Sequence, residues 1–377
     1  MESRKVQKVG SSTLAVSLPQ KWVRAVNLKQ GDLVFFDIEK DGTLKVSKAD
    51  RRSVKASSVF VINADLCKVP NMLQKVIFGS YVLGHENTKI VSSKRLNRVQ
   101  IDEIRSAIRQ LMGVGIMEET INDVILQCSI DITKFPIDVL IKRLYIIAST
   151  MHKEAFEALL KSDVKIAEDA ISRMSEANNI YWIIVRLILS AQNNPTIQEE
   201  IGIENPREII WYRMVAQYLR LIANWSSKIA EKVIAFEKSK VLLGELLLEE
   251  ICEINDETFG LCHKAMNGLI SSNVELANNA IETYNKIQER EEKIQEKICT
   301  HAYLRDKSFS VSKYFHGKGP LEPCAICQLS FIIWSIRRIA ELGSEIAEVA
   351  IWKAISKPTK LCKEVKLEKP SFINLPL

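Results

Sequence analysis

Two periodicities divide this chain. In its first third, apolar residues fall in short alternating runs separated by turn-forming residues. From residue 136 onward they recur every three or four positions. The second pattern is also duplicated. Ser162-Asp163-Val164-Lys165-Ile166-Ala167-Glu168-Asp169-Ala170-Ile171 reappears 110 residues later as Ser272-Asn273-Val274-Glu275-Leu276-Ala277-Asn278-Asn279-Ala280-Ile281. The apolar stripe Val164, Ala167, Ile171, Met174, Ala177, Ile184 matches Val274, Ala277, Ile281, Tyr284, Ile287, Ile294. At an offset of 117, Ile222-Ala223-Asn224 through Glu231 matches Ile339-Ala340-Glu341 through Glu348. A stripe of this spacing lies along one side of a helix and has to be buried against neighbours. The pattern therefore predicts two copies of a three-helix unit, 136–237 and 238–358, built from long antiparallel helices with short links, followed by a tail at 359–377.

The first third reads differently. Residues 4–9 predict a strand, Gly10-Ser11-Ser12 a turn and Thr13–Leu18 a second strand, with Pro19 placed to open a helix over Gln20–Val26. Leu33–Glu39 and Leu44–Ser47 flank Asp41-Gly42, a hairpin signal. About fifty residues with one short helix bury little apolar area, so this head, residues 1–50, is expected to need a partner chain. Residues 51–135 alternate again. Strands at 57–62 and 89–92, helices at 68–82 and 100–112 (Ile101, Ile104, Ile108 and Leu111 on one stripe) and a hairpin at 115–118 and 124–128 predict a small α/β connecting domain.

Charge refines this division. Residues 1–55 hold twelve Lys and Arg against six Asp and Glu, a surplus of six that equals the net charge of the whole chain, so the other 322 residues are neutral overall. A local excess of this kind suits a polyanion, because neutralised phosphates release counterions. The apolar stretches at 180–189 and 329–336 are interrupted or ended by Arg186 and by Arg337-Arg338, so no membrane insertion is expected. The charged N-terminus lacks the apolar run of a secretory signal, and the eight scattered cysteines read as reduced thiols, which together predict a cytoplasmic protein. His-Glu-x-x-His, Gly-x-Ser-x-Gly and the phosphate-cradling Gly-x-x-x-x-Gly-Lys-Ser/Thr are absent, and no enzyme activity is expected.

Lys5-Val6-Gln7-Lys8-Val9-Gly10-Ser11-Ser12-Thr13-Leu14-Ala15-Val16-Ser17-Leu18-Pro19, followed by Leu28-Lys29-Gln30-Gly31-Asp32, resembles the AbrB/SpoVT and MazE-like domain family. The resemblance implies a swapped-hairpin β-barrel, formed by a homodimer, that binds double-stranded DNA. It implies DNA contacts from Arg4, Lys5 and Lys8 on the first strand, Ser11 and Ser12 in the turn, and Lys21 and Arg24 on the helix. The residue types fit: cations neutralise phosphates, and hydroxyls and turn N–H groups position the backbone.

The duplicated helical half resembles PhoU, the phosphate-uptake regulators. That likeness implies tandem all-α bundles, a role in phosphate homeostasis as a negative regulator, and a transport or signalling protein as partner. PhoU-like proteins also carry metal clusters on acidic motifs of the third helix, and here the chain departs. Arg220-Leu221-Ile222-Ala223-Asn224 and Arg337-Arg338-Ile339-Ala340-Glu341 occupy those places, and a cation repels a metal ion. In its stead, Arg337 and Arg338 are expected to pair with Glu249, Glu253 and Glu257, which recur every fourth residue on the preceding helix, as a salt-bridged seam, with an anion site at Arg220 or Arg337 as the sharper alternative. No cofactor is expected, the residual candidate being zinc at Cys299, His301, His316, Cys324 and Cys327. Two functions remain open: a DNA-binding transcriptional regulator of phosphate uptake, or an adaptor whose head only dimerises. An antitoxin role fits less well, since such heads carry short tails rather than 220 helical residues.

Overall fold

The computed structural model describes residues 3–38, 42–48, 59–131, 134–192, 194–238, 242–304, 315–316, 323–358 and 361–362. It divides into two compact units, 1–58 and 59–377. In the first, β1 (Gln7–Val9) and β2 (Thr13–Ala15) pair antiparallel around Gly10, whose φ of +71° suits a residue without a Cβ. α1 (Gln20–Ala25) starts at Pro19, whose carbonyl accepts from Val23 N–H at 3.0 Å. β3 (Phe35–Ile38) and β4 (Leu44–Ser47) form the second hairpin, a sheet separate from the first. The Leu-x-x-Gly-Asp turn before β3 is fixed by Asp32, whose carboxylate accepts from Lys29 N–H at 2.8 Å and pairs with Lys48 at 3.0 Å. Those contacts hold its acid below the usual carboxylate range. α1 buries no residue, and Leu14, Leu33 and Ile38 are 71%, 76% and 81% exposed. Within one chain, no described apolar residue of this unit is buried.

The second unit opens with the α/β segment. β5 (Val59–Asn63), α2 (Met72–Val82), β6 (Asn87–Val91), α3 (Arg98–Gln110), β7 (Val114–Glu119) and β8 (Asp123–Cys128) build a four-stranded sheet in the order β5-β6-β8-β7. β5 and β6 run parallel and the other pairs antiparallel, with an irregularity between Ile116 and Glu118. Strand alternation sends Ile62, Ile90, Val124 and Leu126 to one face, where Leu73 and Ile77 of α2 and Ile104 and Ala107 of α3 cover them.

The helical half follows as α4 (Ile137–Lys161), α5 (Val164–Ser172), α6 (Met174–Gln192), a short α7 (Pro195–Glu200) and α8 (Glu208–Glu237). Then come β9 (Leu242–Leu243), α9 (Glu245–Ser271), α10 (Val274–Leu304), β10 (Phe315–His316) and α11 (Pro323–Ile355), with β9 and β10 paired. The repeat is visible in backbone detail. α4 and α9 both end on a left-handed serine, Ser162 and Ser272, each at φ +52°. The next residue caps the following helix: Asp163 accepts from Lys165 and Ile166 N–H, and Asn273 from Leu276 N–H. The second helix of the first copy, continuous in its apolar pattern, is interrupted at Arg173, which keeps near-helical angles (φ −67°, ψ −14°) and binds Glu154 through two 2.8 Å hydrogen bonds. α7 has no counterpart in the pattern.

One apolar core joins the two copies. α8 and α11 lie against each other, with Trp225 edge-on to Trp334 at 5.1 Å between ring centres. α11 approaches α9 so closely that a Cβ on Gly343 would stand 2.5 Å from Leu261 and 2.9 Å from the Cys262 sulfur. The α/β segment is clasped to the first copy by Arg186 of α6, 3% exposed. Its guanidinium donates to the carbonyls of Tyr81, at the C-terminal end of α2, and of Gly84 (3.2 Å) and His85 (3.3 Å) just beyond it, and lies over the Tyr81 ring. Phe78 stacks on Trp182 beside it.

Removing that donor takes their partner from the part-buried Gly84 and His85 carbonyls, while Tyr81 keeps the bond from Gly84 N–H, so Arg186→Met is expected to lower the unfolding free energy by about 2 kcal/mol in urea titration. A loss below about 1 kcal/mol would show that the clasp adds little. Acid should also act on the core between the copies. His152 of α4 is buried near Phe259 and Asn255 of α9, and burial pushes its imidazole down to about 4, a shift that the nearby Asn255 amide opposes only in part. Because the fold favours the neutral ring, its contribution is complete above about pH 6.5 and is lost as pH falls from there toward 4, amounting to about 3 kcal/mol. The urea midpoint of the wild type should therefore drop more steeply over that range than that of His152→Leu; parallel slopes would contradict this.

Candidate functional site

Residues proposed to touch DNA lie on three pieces of the first unit, all exposed. Lys8 is in β1, across from Leu14, and Ser11 and Ser12 form the turn. Lys21 and Arg24 lie one turn apart on α1. Arg4 and Lys5 precede β1 instead of belonging to it, because the ladder begins only at Gln7, opposite Ala15. None of the seven is sequestered in a core, so their charges and hydroxyls face solvent on a small, positively charged unit.

In the helical half the seam differs from the expected one. Arg337 and Arg338 do not pair with Glu249 or Glu253. Arg290 of α10 takes Glu253 at 3.1 Å and Glu257 at 2.9 Å, and Lys297 of α10 takes Glu250, while Glu249 is exposed. The physical reason is helix rotation: α9 turns its acids toward α10 and presents Leu261 and Cys262 to α11. Arg338 pairs with Glu341 one turn along its own helix and lies near the Trp334 ring. Arg337 reaches Glu291 of α10 at 3.5 Å, an acid whose side chain is only 5% exposed.

Arg220 on α8 is held in a different setting. It donates to the Asn178 amide oxygen at 2.8 Å, and its guanidinium stands 4.6 Å from the Tyr181 ring centre and 5.3 Å from that of Trp182. Arg213 lies over the same tyrosine, whose hydroxyl donates to Gln217 at 2.7 Å. The repeat offsets in the sequence relate these partners to those of the second copy. The 117-residue offset equates Arg220 with Arg337, and the 110-residue offset equates Tyr181 with Glu291. Both copies thus set an arginine of the third helix against the same position of the second, with an aromatic face in one and a carboxylate in the other.

This donor set does not fit a metal cluster. The central side chains are cations, Asn224 is uncharged, and Glu341 is taken up by Arg338. Among the described residues, no three His, Cys, Asp or Glu side chains come together in a metal-binding group. Of the zinc candidates, Cys299 and Cys327 are exposed free thiols, while the side chains of His301, His316 and Cys324 lie outside the described part. Among the described residues no helix is long and apolar enough to cross a membrane.

Comparison with known proteins follows the same division. Residues 7–53 match the family model described as antidote-toxin recognition MazE, bacterial antitoxin, and residues 141–233 match the PhoU domain. The second model covers the first helical copy; the second copy rests on the internal repeat. Among solved structures, PhoU from Pseudomonas aeruginosa is similar at 15% identity and a TM-score of 0.48, over 59% of this chain and 96% of that one. The phosphate transport system regulatory protein PhoU from Streptococcus pneumoniae is similar at 14% identity and 0.48, over 59% and 94%. No curated protein matches the chain. The chain thus joins a strand-rich segment similar to MazE, residues 7–53, to a helical segment similar to the PhoU domain, residues 141–233.

Proposed function

We propose that the protein is a DNA-binding transcriptional regulator of phosphate homeostasis that acts in the cytoplasm as a negative regulator of phosphate uptake. Its MazE-like segment points to DNA binding and dimerisation and its PhoU domain to phosphate regulation. The observation that carries the reading is the combination found in the first unit. It holds the whole net charge of the chain, and it leaves Leu14, Leu33, Phe36 and Ile38 uncovered. Two copies that interleave their hairpins would cover those side chains and bring two sets of Arg4, Lys5, Lys8, Lys21 and Arg24 onto one duplex. The PhoU domain would then receive the phosphate signal from a transport or signalling partner.

Duplex binding measured by fluorescence anisotropy between 50 and 200 mM salt tests this. Affinity should fall steeply with salt, and Arg4→Ala, Lys5→Ala and Lys8→Ala combined should weaken binding by at least about tenfold at low salt while leaving the helical circular dichroism intact. Dimers that sediment normally but bind no duplex would favour the adaptor, in which the head only joins two chains.

A further inference from the structure

The chain has a second basic surface, well away from the head in sequence. On α3, Arg98, Asp102, Arg105 and Arg109 follow one another at intervals of four, three and four, which lines them along one exposed side of the helix. Lys94 and Arg95 precede them in the connecting loop. An open cleft of about 620 Å³ lies here, lined by Arg95, Arg98 and Arg105 with Asp102 as its carboxylate. Among the described residues, Arg95, Arg98 and Arg109 have no carboxylate at ion-pair distance, and Arg105 reaches only Glu119 at 3.8 Å, both side chains being exposed.

Two observations set this surface apart from an ordinary solvated face. The first is where the charge sits. Arg98 opens α3 and its first turn holds no acid, so with Arg95 just before it cations gather at the end where the helix dipole is already positive, whereas Arg109 in the last turn sits where the dipole favours it. Folding gains nothing from the placement of Arg95 and Arg98. The second is how firmly the loop is held. Asp65 accepts from the Ser92 hydroxyl at 2.6 Å and from Ser93 N–H at 2.8 Å, donors that bring its acid down to about 2. Leu96 is buried and its N–H donates to the Ile121 carbonyl at 2.9 Å. Asn97 and Gln100 cap each other reciprocally, and the Gln100 amide also donates to the Ala64 carbonyl at 3.0 Å. The arginines therefore extend from a backbone that is already ordered.

Shape indicates the ligand class. From Arg98 to Arg109 the line runs about 16 Å along the helix, too long for one small anion. The cleft is open, whereas small-molecule sites enclose most of their ligand. Duplex DNA presents one charge per about 1.7 Å of its axis, so a line of this length runs beside several phosphates. We propose that the α3 stripe, Arg95, Arg98, Arg105 and Arg109, is a second DNA contact, directed at backbone phosphates and indifferent to sequence. It rests on the reading of the head as DNA-binding, to which it adds a tethered, non-specific contact made by the second unit.

The test uses the full chain and random-sequence duplex at 50–200 mM salt. Changing the four arginines together to alanine, which keeps the helix, should make the slope of log affinity against log salt less steep by about three to four. Affinity at low salt should drop at least about tenfold for every duplex sequence. Replacing the same four with lysine should restore most of both. An unchanged slope in the alanine variant, with binding still lost on Arg4→Ala, Lys5→Ala and Lys8→Ala, would sink the α3 contact and leave the head reading standing. A wild-type chain that binds no duplex overturns both. Calorimetric binding of inorganic phosphate that the alanine variant loses, with its DNA slope unchanged, would assign the stripe to a small anion and overturn the proposal.

Discussion

Helix-to-helix distance is the constraint on which the second unit depends. Long helices with a single apolar stripe are stable only where a neighbour comes close enough to close the stripe off. Here that closeness is set by small residues. Gly343 lets α11 come down on Leu261 and Cys262, and Gly268 stands where a Cβ would be 3.2 Å from Ala277. The equivalent points of the first copy are Ser226 and the pair Ala158 and Ala167, all fully buried. Ser226 turns its hydroxyl back onto the Ile222 carbonyl, so even this polar side chain behaves as a small one. With α8 and α11 lying against each other through Trp225 and Trp334, the two copies share one core, and His152 and Asn255 are buried in it.

What the sequence made legible follows from how local each signal is. Strand, turn and helix order in the first unit is written in neighbours such as Gly10, Pro19 and Asp41-Gly42, and the elements lie where those residues put them. The internal repeat worked for the same reason: Ser162-Asp163-Val164 and Ser272-Asn273-Val274 encode a left-handed end and a capped start within three residues. Contacts that depend on helix rotation were not legible in the same way. Glu249, Glu253 and Glu257 recur every fourth residue, but which neighbour they face depends on how α9 is turned, and it is α10 that supplies Arg290 and Lys297. Arg186 shows the same limit over a longer span. In the sequence it is a charge that interrupts an apolar run; its acceptors lie more than a hundred residues earlier.

The arginine of the third helix shows how duplication and divergence meet. Position, backbone and direction are shared between Arg220 and Arg337, while the partner has changed from an aromatic ring to a buried acid. A guanidinium accepts either, since its flat face suits a π-system and its edge a carboxylate. The carboxylates that a metal cluster would need are replaced by side chains that tie helices together, so the helices are joined by the protein's own groups.

The Arg186 clasp also divides the two copies in a way their common pattern does not. Trp182 and Arg186, which hold the α/β segment on α6, correspond at the 110-residue offset to Glu292 and Glu296 on α10, both exposed acids. Among the described residues, one copy wears a roof over this side and the other leaves it exposed. A doubled scaffold thus presents two unlike sides, one apolar and closed by the α/β segment and one acidic, so the common pattern of the copies does not make their surfaces interchangeable.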